Sequence, residues 1–409
     1  MKKITAFLLV AAMLLGLTAC GQDSPAGTTA PTAPTSATTP TTDSNEPVVP
    51  EKLSEVYNIA SYAGTPEEVI ANRETIVATL NGVPLHNSTL QIFYWLDVYD
   101  FMGNFDVESS GLDISKPLHE QTLEPGTWQH YFLGSALGSW NYHQALALAA
   151  QEENIALLPY FQKLLDNMDD ELLESARNEG FESIDAMIQS DTGPGCTVDD
   201  YRAYRQIVYA AQSYCYAKLN AMHFTDDEVN AYFIDKEAYL AADGITKGSG
   251  NSHSVRHILV PIEPEQEATE DDWEHCRQKA QAILDEWLAG EATEESFAAL
   301  AMDKSEDPGS VNYGGLYQGL TDSTSFLLPF KNWYLDESRQ PGDCELVKTT
   351  AGYHVMYYTG TEPLWYAYCR NLMVSDAMEK LETIALEKYE AVVYYDKILL
   401  SEVSLVEDK

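Results

Sequence analysis

The chain has 409 residues, which is long enough for two or three domains. Its composition is globular, with 45% hydrophobic and 22% charged residues, and its 64 acidic and 24 basic residues give a formal net charge of −40. This charge argues against nucleic acid as a partner and against binding to an anionic membrane surface by charge, because both need basic side chains. We interpret the excess as a solvated acidic surface.

The first twenty residues, MKKITAFLLVAAMLLGLTAC, have the layout of a signal peptide. Two lysines precede an apolar run that is too short for a well-formed transmembrane helix. The LTAC ending resembles the lipobox of bacterial lipoproteins, in which the cysteine takes a diacylglycerol and the chain is cut just before it. The resemblance implies that residues 1–19 are removed and that Cys20 is the lipid attachment site, where two acyl chains would give stable anchoring. The alternative is an ordinary secreted protein with a chance cysteine.

Residues 20–52 predict a disordered spacer. Thr, Pro, Ala and Ser dominate this segment, and no large apolar residue appears before Val48. The remaining cysteines are Cys196, Cys215, Cys276, Cys344 and Cys369. They are odd in number, widely spaced and without a CxxC pair, so a disulfide is permitted outside the cell but not required, and a zinc site is not indicated.

Residues 53–250 predict a mainly helical region. Helical spacing of apolar residues indicates helices at 88–103, 128–153, 155–178, 199–222 and 225–240. Capping boxes are indicated at Thr65 with Glu68 and at Thr225 with Glu228. IVATLNGVPL at 76–85 predicts two short strands joined by an Asn-Gly turn. The polar, Gly-rich stretch at 243–252 is a candidate boundary.

From residue 254 the pattern becomes mixed. SVRHILV predicts a strand, residues 269–290 an amphipathic helix, and EESFAALAMDKS a shorter helix. A Gly- and Asp-rich loop follows, then a helix beginning at PFKNWYL and strands at 343–349 and 352–360. This is an α+β unit. Residues 364–391 predict a helix and residues 391–403 a strand, which we expect to pair with the strand near residue 76.

Two predicted strands contain a histidine on an apolar face. His257 shares its face with Val255 and Leu259, and His354 shares its face with Met356 and Tyr358. On these strands alone, two unrelated buried histidines with satisfied hydrogen bonds are as reasonable as a site. We predict no metal site, because His253 and His257 would lie roughly 13 Å apart along a strand.

Several blocks in order resemble the parvulin-type peptidyl-prolyl isomerase domain: RHILV, FAALAMDKSEDPGS, GGL, PF and GDCELVKTTAGYHVMYY. The resemblance covers residues 252–361, about a quarter of the chain. When the helical region at 53–250, the C-terminal segment at 362–409 and the lipobox are included, the whole chain resembles PrsA-type foldase lipoproteins of Gram-positive envelopes. The implied fold class is α+β: a parvulin-like domain, a small antiparallel sheet with surrounding helices, inserted in a mostly helical chaperone-like domain formed by residues 53–250 and 362–409.

The resemblance implies a site. It assigns catalytic positions to His257, Asp307, Thr349 and His354. It assigns the substrate pocket to Tyr317, Phe326 and Phe330, with Phe330 as the aromatic floor for the proline ring. Phe326 replaces a usual methionine, and Tyr317 lies near a usual leucine. The family's GGDLG loop reads GGLYQG here and lacks its acidic residue, and Ala351 replaces a frequent small hydroxyl residue.

The implied chemistry needs neither a cofactor nor a covalent intermediate. Rotation about an X–Pro bond has a barrier of roughly 20 kcal/mol. The imide loses resonance as it twists, so a dry apolar pocket that favours the twisted state would catalyse the exchange. A histidine–threonine network would fix the strands and the local field, and Asp307 would act on the carbonyl or through that network. Taken singly, each residue also has a structural interpretation.

The sequence therefore favours a lipid-anchored foldase on the extracytoplasmic face of the cell membrane. Its partners would be unfolded exported polypeptides with X–Pro bonds, and the sequence leaves an oligomer open. The first rival is a holdase chaperone with a catalytically inactive parvulin domain, suggested by the altered GGLYQG loop. The second is a solute-binding or adhesion lipoprotein, suggested by the anchor and spacer.

Overall fold

The structure is a computed structural model, and it describes residues 51–105, 107–263 and 268–406. The predicted signal peptide, Cys20 and nearly all of the predicted spacer lie outside these ranges. Within them, none of the helices combines the length and the apolar character needed to cross a membrane. All five described cysteines are free thiols.

Most of the α-helices begin after a residue whose side chain caps the first turn. In chain order they are α1 (Pro66–Asn72), α2 (Asn87–Asn104), α3 (Val107–Ser110), α4 (Trp128–Glu152), α5 (Pro159–Glu179), α6 (Ile184–Thr192), α7 (Val198–Ala221), α8 (Asp226–Ala242), α9 (Glu270–Ala289), α10 (Glu294–Lys304), α11 (Leu328–Tyr334) and α12 (Leu364–Lys388). Both predicted capping boxes are confirmed, with Thr65 capping α1 and Thr225 capping α8. Short 3₁₀ turns are Glu51–Asn58, Leu118–Glu120, Val311–Tyr313 and Tyr395–Lys397.

The strands form three small antiparallel sheets. In chain order they are β1 (Ile76–Leu80), β2 (Val83–His86), β3 (Thr122–Leu123), β4 (Gly126–Thr127), β5 (Asn251–Pro261), β6 (Leu316–Leu320), β7 (Cys344–Thr349), β8 (Gly352–Pro363) and β9 (Ala391–Val393). The sheet orders are β2-β1-β9, β3-β4 and β6-β5-β8-β7. Helices and antiparallel sheets together give the α+β class that the sequence predicts.

The two ends of the helical region meet in one sheet. The predicted pairing of the early and late strands is confirmed, because Ala78 lies opposite Val393 in the β1–β9 ladder. The buried Asn87 adds a second link: its Nδ2 donates to the carbonyl of Leu399 at 2.7 Å, and its Oδ1 accepts from the Leu399 amide at 3.1 Å. Residues 251–363 thus lie between two halves that close on each other.

The four-stranded sheet has two differently covered faces. On one face Ile258, Val260, Val355 and Tyr357 pack against α9 and α10. On the other face Val255, Met356 and Tyr358 pack against Phe330 and Trp333 of α11. Because side chains alternate along a strand, this second face also receives His257 and His354. The alternation read from the sequence therefore positions the two histidines on the α11 side.

Three element predictions need correction. Residues 316–320, read as a loop, form the edge strand β6, in which Tyr317 lies opposite Val255; two or three alternating residues beside glycines are too short a signal for a strand. The predicted helix at 155–178 begins only at Pro159, because a residue before proline disfavours the helical conformation. Residues 391–403 are strand only to Val393, before a 3₁₀ turn and a lone bridge between Ala63 and Leu400.

Candidate active site

The two histidines lie on neighbouring strands, where the sequence placed them. His354 on β8 lies opposite Leu259, and His257 on β5 lies opposite Met356, so the imidazoles are diagonal neighbours on one face of the sheet. Their Nδ1 atoms are 3.0 Å apart. The ring centroids are 5.2 Å apart with 27° between the planes. The predicted pairing of the two rings is therefore present in the structure.

A line of hydrogen bonds extends from the histidine pair in both directions. On one side Nε2 of His354 is 2.9 Å from Oγ1 of Thr349, the last residue of β7. On the other side Nε2 of His257 is 2.8 Å from Oδ2 of Asp307. All four side chains are buried, with Asp307 only 2% exposed. We call this line of four side chains the histidine network.

The carboxylate of Asp307, which can only accept, sets the direction of these bonds when each ring carries one proton. Nε2 of His257 then donates to Oδ2 of Asp307, and Nδ1 of His257 accepts from Nδ1 of His354. Nε2 of His354 accepts from the hydroxyl of Thr349, whose Oγ1 also accepts from the amide of Ala351 at 3.1 Å. With one proton on each ring, every polar atom of the network has a partner.

Asp307 accepts more bonds than the resemblance implied. Its Oδ2 also accepts from the hydroxyl of Tyr317 at 3.0 Å and from the hydroxyl of Ser310. Oδ1 accepts from the amide of Gly309 at 3.3 Å. Ser310 is fully buried, and its Oγ is also 3.0 Å from Nε2 of His257. The carboxylate is thus held on the inner side of its loop by several donors.

The surroundings shift the acidities of the outer network members. Burial raises the pKa of Asp307, but His257 and the hydrogen bonds from His257, Ser310 and Tyr317 outweigh it and hold the pKa well below its usual range. Burial, together with the neighbouring His257, lowers the pKa of His354 to about 3 against a smaller opposing effect of Asp307. At neutral pH Asp307 is ionised and His354 is neutral.

Aromatic rings cover the network on the α11 side. The ring of Phe330 lies nearly perpendicular to both histidine rings, with its centroid 5.2 Å from His257 and 5.3 Å from His354. Tyr317 stacks on His257 at 5.5 Å. Phe326 stacks on Phe330 at 4.6 Å with 9° between the planes, and contacts Tyr317 edge-on at 5.0 Å. The three residues predicted for the substrate pocket therefore lie together beside the network.

The segment that holds Asp307 is fixed to β5 through its backbone. We call residues 305–315 the Asp307 loop. The amide of Glu306 donates to the carbonyl of Leu259 at 3.0 Å, and the amide of His257 donates to the carbonyl of Gly315 at 2.8 Å. Gly315 has φ +73°, and a Cβ there would lie 2.2 Å from the carbonyl oxygen of His257. Only glycine fits this close approach.

The outer side of the Asp307 loop contacts the helical region. Nδ2 of Asn220, in the last turn of α7, donates to the carbonyl of Asn312 at 2.9 Å. The ring of Tyr216, one turn earlier, contacts Tyr313 edge-on at 4.9 Å between centroids. The loop is thus held between β5 on one side and α7 on the other.

The aromatic residues can form an apolar pocket above the polar, fixed histidine network. The site contains an ionised carboxylate, a neutral imidazole and the ring of Phe330. Across residues 51–105, 107–263 and 268–406, no group of three or more His, Cys, Asp or Glu side chains is placed to hold a metal ion.

A family model of the PPIC-type PPIase domain matches residues 243–361. The chain contains a PPIC-type peptidyl-prolyl isomerase domain. The histidine network and the three aromatic residues all lie inside this PPIase domain, so the parvulin resemblance is confirmed at the level of the family. No curated protein matches the chain.

Solved structures of foldases share a limited likeness with the chain. The peptidylprolyl isomerase PrsA of Bacillus anthracis is 14% identical, with 65% of this chain and 99% of that chain covered and a TM-score of 0.21. PrsA of Bacillus subtilis is 16% identical, with 68% and 90% covered and a TM-score of 0.27. Cj1289 and PEB4, two SurA-like chaperones of Campylobacter jejuni, are represented at 17% identity, with 77% and 93% covered and a TM-score of 0.21. At these TM-scores the whole-chain likeness supports no argument about function.

The structure brings together all seven residues predicted for the PPIase site. Cys20, the predicted lipid attachment site, lies outside the described residues. Sequence reasoning missed Ser310 and the hydroxyl contact of Tyr317 with Asp307. The signal for Ser310 was its position three residues after Asp307 in a turn, where a serine hydroxyl reaches back to a carboxylate.

Proposed function

We propose that the chain is a membrane-anchored extracytoplasmic foldase that accelerates cis–trans isomerisation of X–Pro bonds in exported proteins and binds unfolded chains. The observation that supports this most strongly is the continuous network from Thr349 to Asp307 directly beneath Phe330. We propose His257, Asp307, Thr349 and His354 as the catalytic group and Tyr317, Phe326 and Phe330 as the proline pocket.

The proposed chemistry follows from the difference in polarity between the aromatic pocket and the histidine network beneath it. A proline ring against Phe330 loses water, and the twisted imide, which has less charge separation than the planar one, is favoured in such a pocket. The fixed carboxylate of Asp307 places a negative charge below the pocket, where it opposes the charge separation of the planar imide. Because the hydrogen-bonding atoms of the network already have partners, His257 and His354 are kept from turning toward the substrate.

The remaining parts would bring clients to this site. In the proposal, residues 53–250 and 362–409 form the client-binding chaperone-like domain, residues 252–361 the isomerase, and Cys20 the lipid anchor after loss of residues 1–19. The spacer at 20–52 would keep the folded part away from the membrane surface. The contacts of Tyr216 and Asn220 with the Asp307 loop support a client-binding role close to the site.

The holdase with an inactive isomerase domain remains the second candidate. The observation that favours it is the burial of Phe330, which is 1% exposed. Refolding of a client whose slow phase is limited by proline isomerisation separates the two. An isomerase accelerates the slow phase at substoichiometric concentration, whereas a holdase lowers aggregation and leaves the rate constant of that phase unchanged.

Lipidation is tested separately. Mass spectrometry of the chain expressed in a Gram-positive host should give a mass that starts at Cys20 with a diacylglycerol adduct, and Cys20→Ala should release the protein into the medium. A membrane-bound Cys20→Ala variant would contradict the anchor.

A further inference from the structure

The floor of the proposed proline pocket is already covered. Phe330 is 1% exposed, although a floor must offer one ring face to a proline. The rings of His257 and His354 lie nearly perpendicular to Phe330, at 89° and 79° between planes. The parallel contact at 4.6 Å is made by Phe326.

Phe326 lies against Phe330 in the way that the ring of a bound ligand would. Phe326 lies parallel to Phe330 within 9°, and it contacts Tyr317 edge-on at 5.0 Å and Tyr334 edge-on at 6.4 Å. A proline ring stacked on Phe330 beside Tyr317 would need the same space. The two rings cannot both be present, because each would lie in van der Waals contact with the same face.

From this competition we propose that Phe326 is a specificity-determining residue that occupies the prolyl subsite, so that a client proline binds only by displacing the Phe326 ring. The inference rests on the proposed isomerase function and adds a selection at its site. A short peptide gains only its own contacts on displacing Phe326. A longer client, held elsewhere on the protein, brings additional binding free energy and is favoured.

The segment that holds Phe326 is suited to such a displacement. We call residues 321–327 the pocket segment. Its start is fixed, because the hydroxyl of Tyr334 donates to the carbonyl of Thr321 at 2.8 Å. Asp322, Ser323 and Ser325 are exposed, and Phe326 is only half-buried where it packs against the cluster that contains Phe330. Moving the ring away from Phe330 therefore breaks a half-buried contact at the edge of that cluster.

The test compares Phe326→Ala and Phe326→Met with wild type on a short prolyl tetrapeptide, with exchange followed by NMR and binding by titration. Leu328→Ala is the matched control, because Leu328 is an apolar residue two positions on that is 69% exposed. We expect Phe326→Ala to lower KM and Kd by roughly three- to tenfold, the size of one aromatic stacking contact, with kcat within about twofold of wild type. Leu328→Ala should behave as wild type.

Each other outcome is decisive. If wild type accelerates exchange and Phe326→Ala has an equal or higher KM, the occupancy of the subsite is wrong while the isomerase function stands. If no variant accelerates exchange but Phe326→Ala binds the peptide more tightly than wild type, the inference stands and the catalytic proposal falls. If no variant accelerates exchange or binds the peptide, both are overturned. Phe326→Met keeps an apolar side chain and shows whether a loss in the alanine variant comes from a damaged pocket wall.

Discussion

Nδ1 of His354 lies 3.0 Å from Nδ1 of His257, and this one contact joins the two halves of a buried polar network. On its far sides lie a threonine hydroxyl and an ionised carboxylate. Each ring nitrogen of the pair has a partner, and Nε2 of His257 has two, Asp307 and Ser310. The partners lie on neighbouring strands or on the Asp307 loop. The network therefore ties β5, β7, β8 and the Asp307 loop into one unit, and it links stability to the proposed activity.

Thr349→Val should destabilise the PPIase domain. The substitution keeps the shape of the side chain but leaves Nε2 of His354 and the amide of Ala351 without a partner in a buried site. We expect a loss of about 1–3 kcal/mol in the free energy of unfolding. Hydrogen exchange of the β7 and β8 amides, followed as a function of urea concentration, measures this loss of free energy. Thr361→Val, at an exposed threonine of β8, is the control and should change little. Equal effects of the two variants would contradict the network.

The free energy of unfolding should decrease as the pH is lowered, because of the shifted pKa of His354. Its pKa is lowered to about 3 in the folded state, whereas an unfolded histidine has a pKa near 6.5. Between these values the unfolded chain binds a proton that the folded chain does not, so stability decreases as pH falls, by about 1.4 kcal/mol per pH unit. His354→Gln should remove this proton uptake from acid unfolding curves. His275→Gln, at an exposed histidine of α9, should not, and an unchanged slope in His354→Gln would refute the burial of a neutral imidazole.

Tyr317→Phe should alter the pH profile of the reaction. The phenol donates to Oδ2 of Asp307 and helps to lower the pKa of that carboxyl. Without it the pKa of Asp307 rises, so the acidic limb of kcat/KM moves to higher pH, and kcat/KM at neutral pH falls by about two- to tenfold. Tyr358→Phe is the matched control, because its hydroxyl lies 2.8 Å from Nδ1 of His253, outside the network. A profile of Tyr317→Phe that matches wild type would show that the phenol does not act on Asp307.

Asn87→Ala should loosen the closure of the helical region. Asn87 is fully buried and makes both side-chain bonds to the backbone of Leu399. Its loss leaves a partly buried amide and carbonyl unpaired, which we expect to cost about 1–3 kcal/mol. Protection of the β1 and β9 amides in hydrogen exchange should fall. Asn72→Ala breaks an exposed bond to the carbonyl of Lys397 in the same segment, and a similar loss of protection there would contradict the special role of Asn87.

The sequence was enough to predict the strands of both histidines, because β5 and β8 are long and rich in β-branched and aromatic residues. It was not enough for β6, whose five residues include Gly319 at φ +70° and pair only at an edge of the sheet. It also missed α6, a nine-residue helix that ends before Gly193. Short elements depend on tertiary contacts that a single sequence does not display.

The candidate site was likewise predicted only in part. Motif order identified the seven residues, but it could not reveal which hydroxyls reach Asp307, since Ser310 and Tyr317 approach it through the turn of the loop and the register of β6. Nor could it show that Phe326 lies flat on Phe330. That arrangement depends on the conformation of the pocket segment, for which the spacing of residues gives no signal.

The central claim is that the network and the Phe330 pocket form a working isomerase site, and one assay tests it most directly. Exchange of a prolyl tetrapeptide is measured by NMR with wild type and with Asp307→Ala, together with suppression of aggregation of an unfolded client. We predict that wild type accelerates exchange and that Asp307→Ala loses at least about tenfold in kcat/KM, the scale of one positioned charged group, while suppressing aggregation as well as wild type. Wild type without acceleration but with full suppression, or an Asp307→Ala variant as active as wild type, would contradict the account.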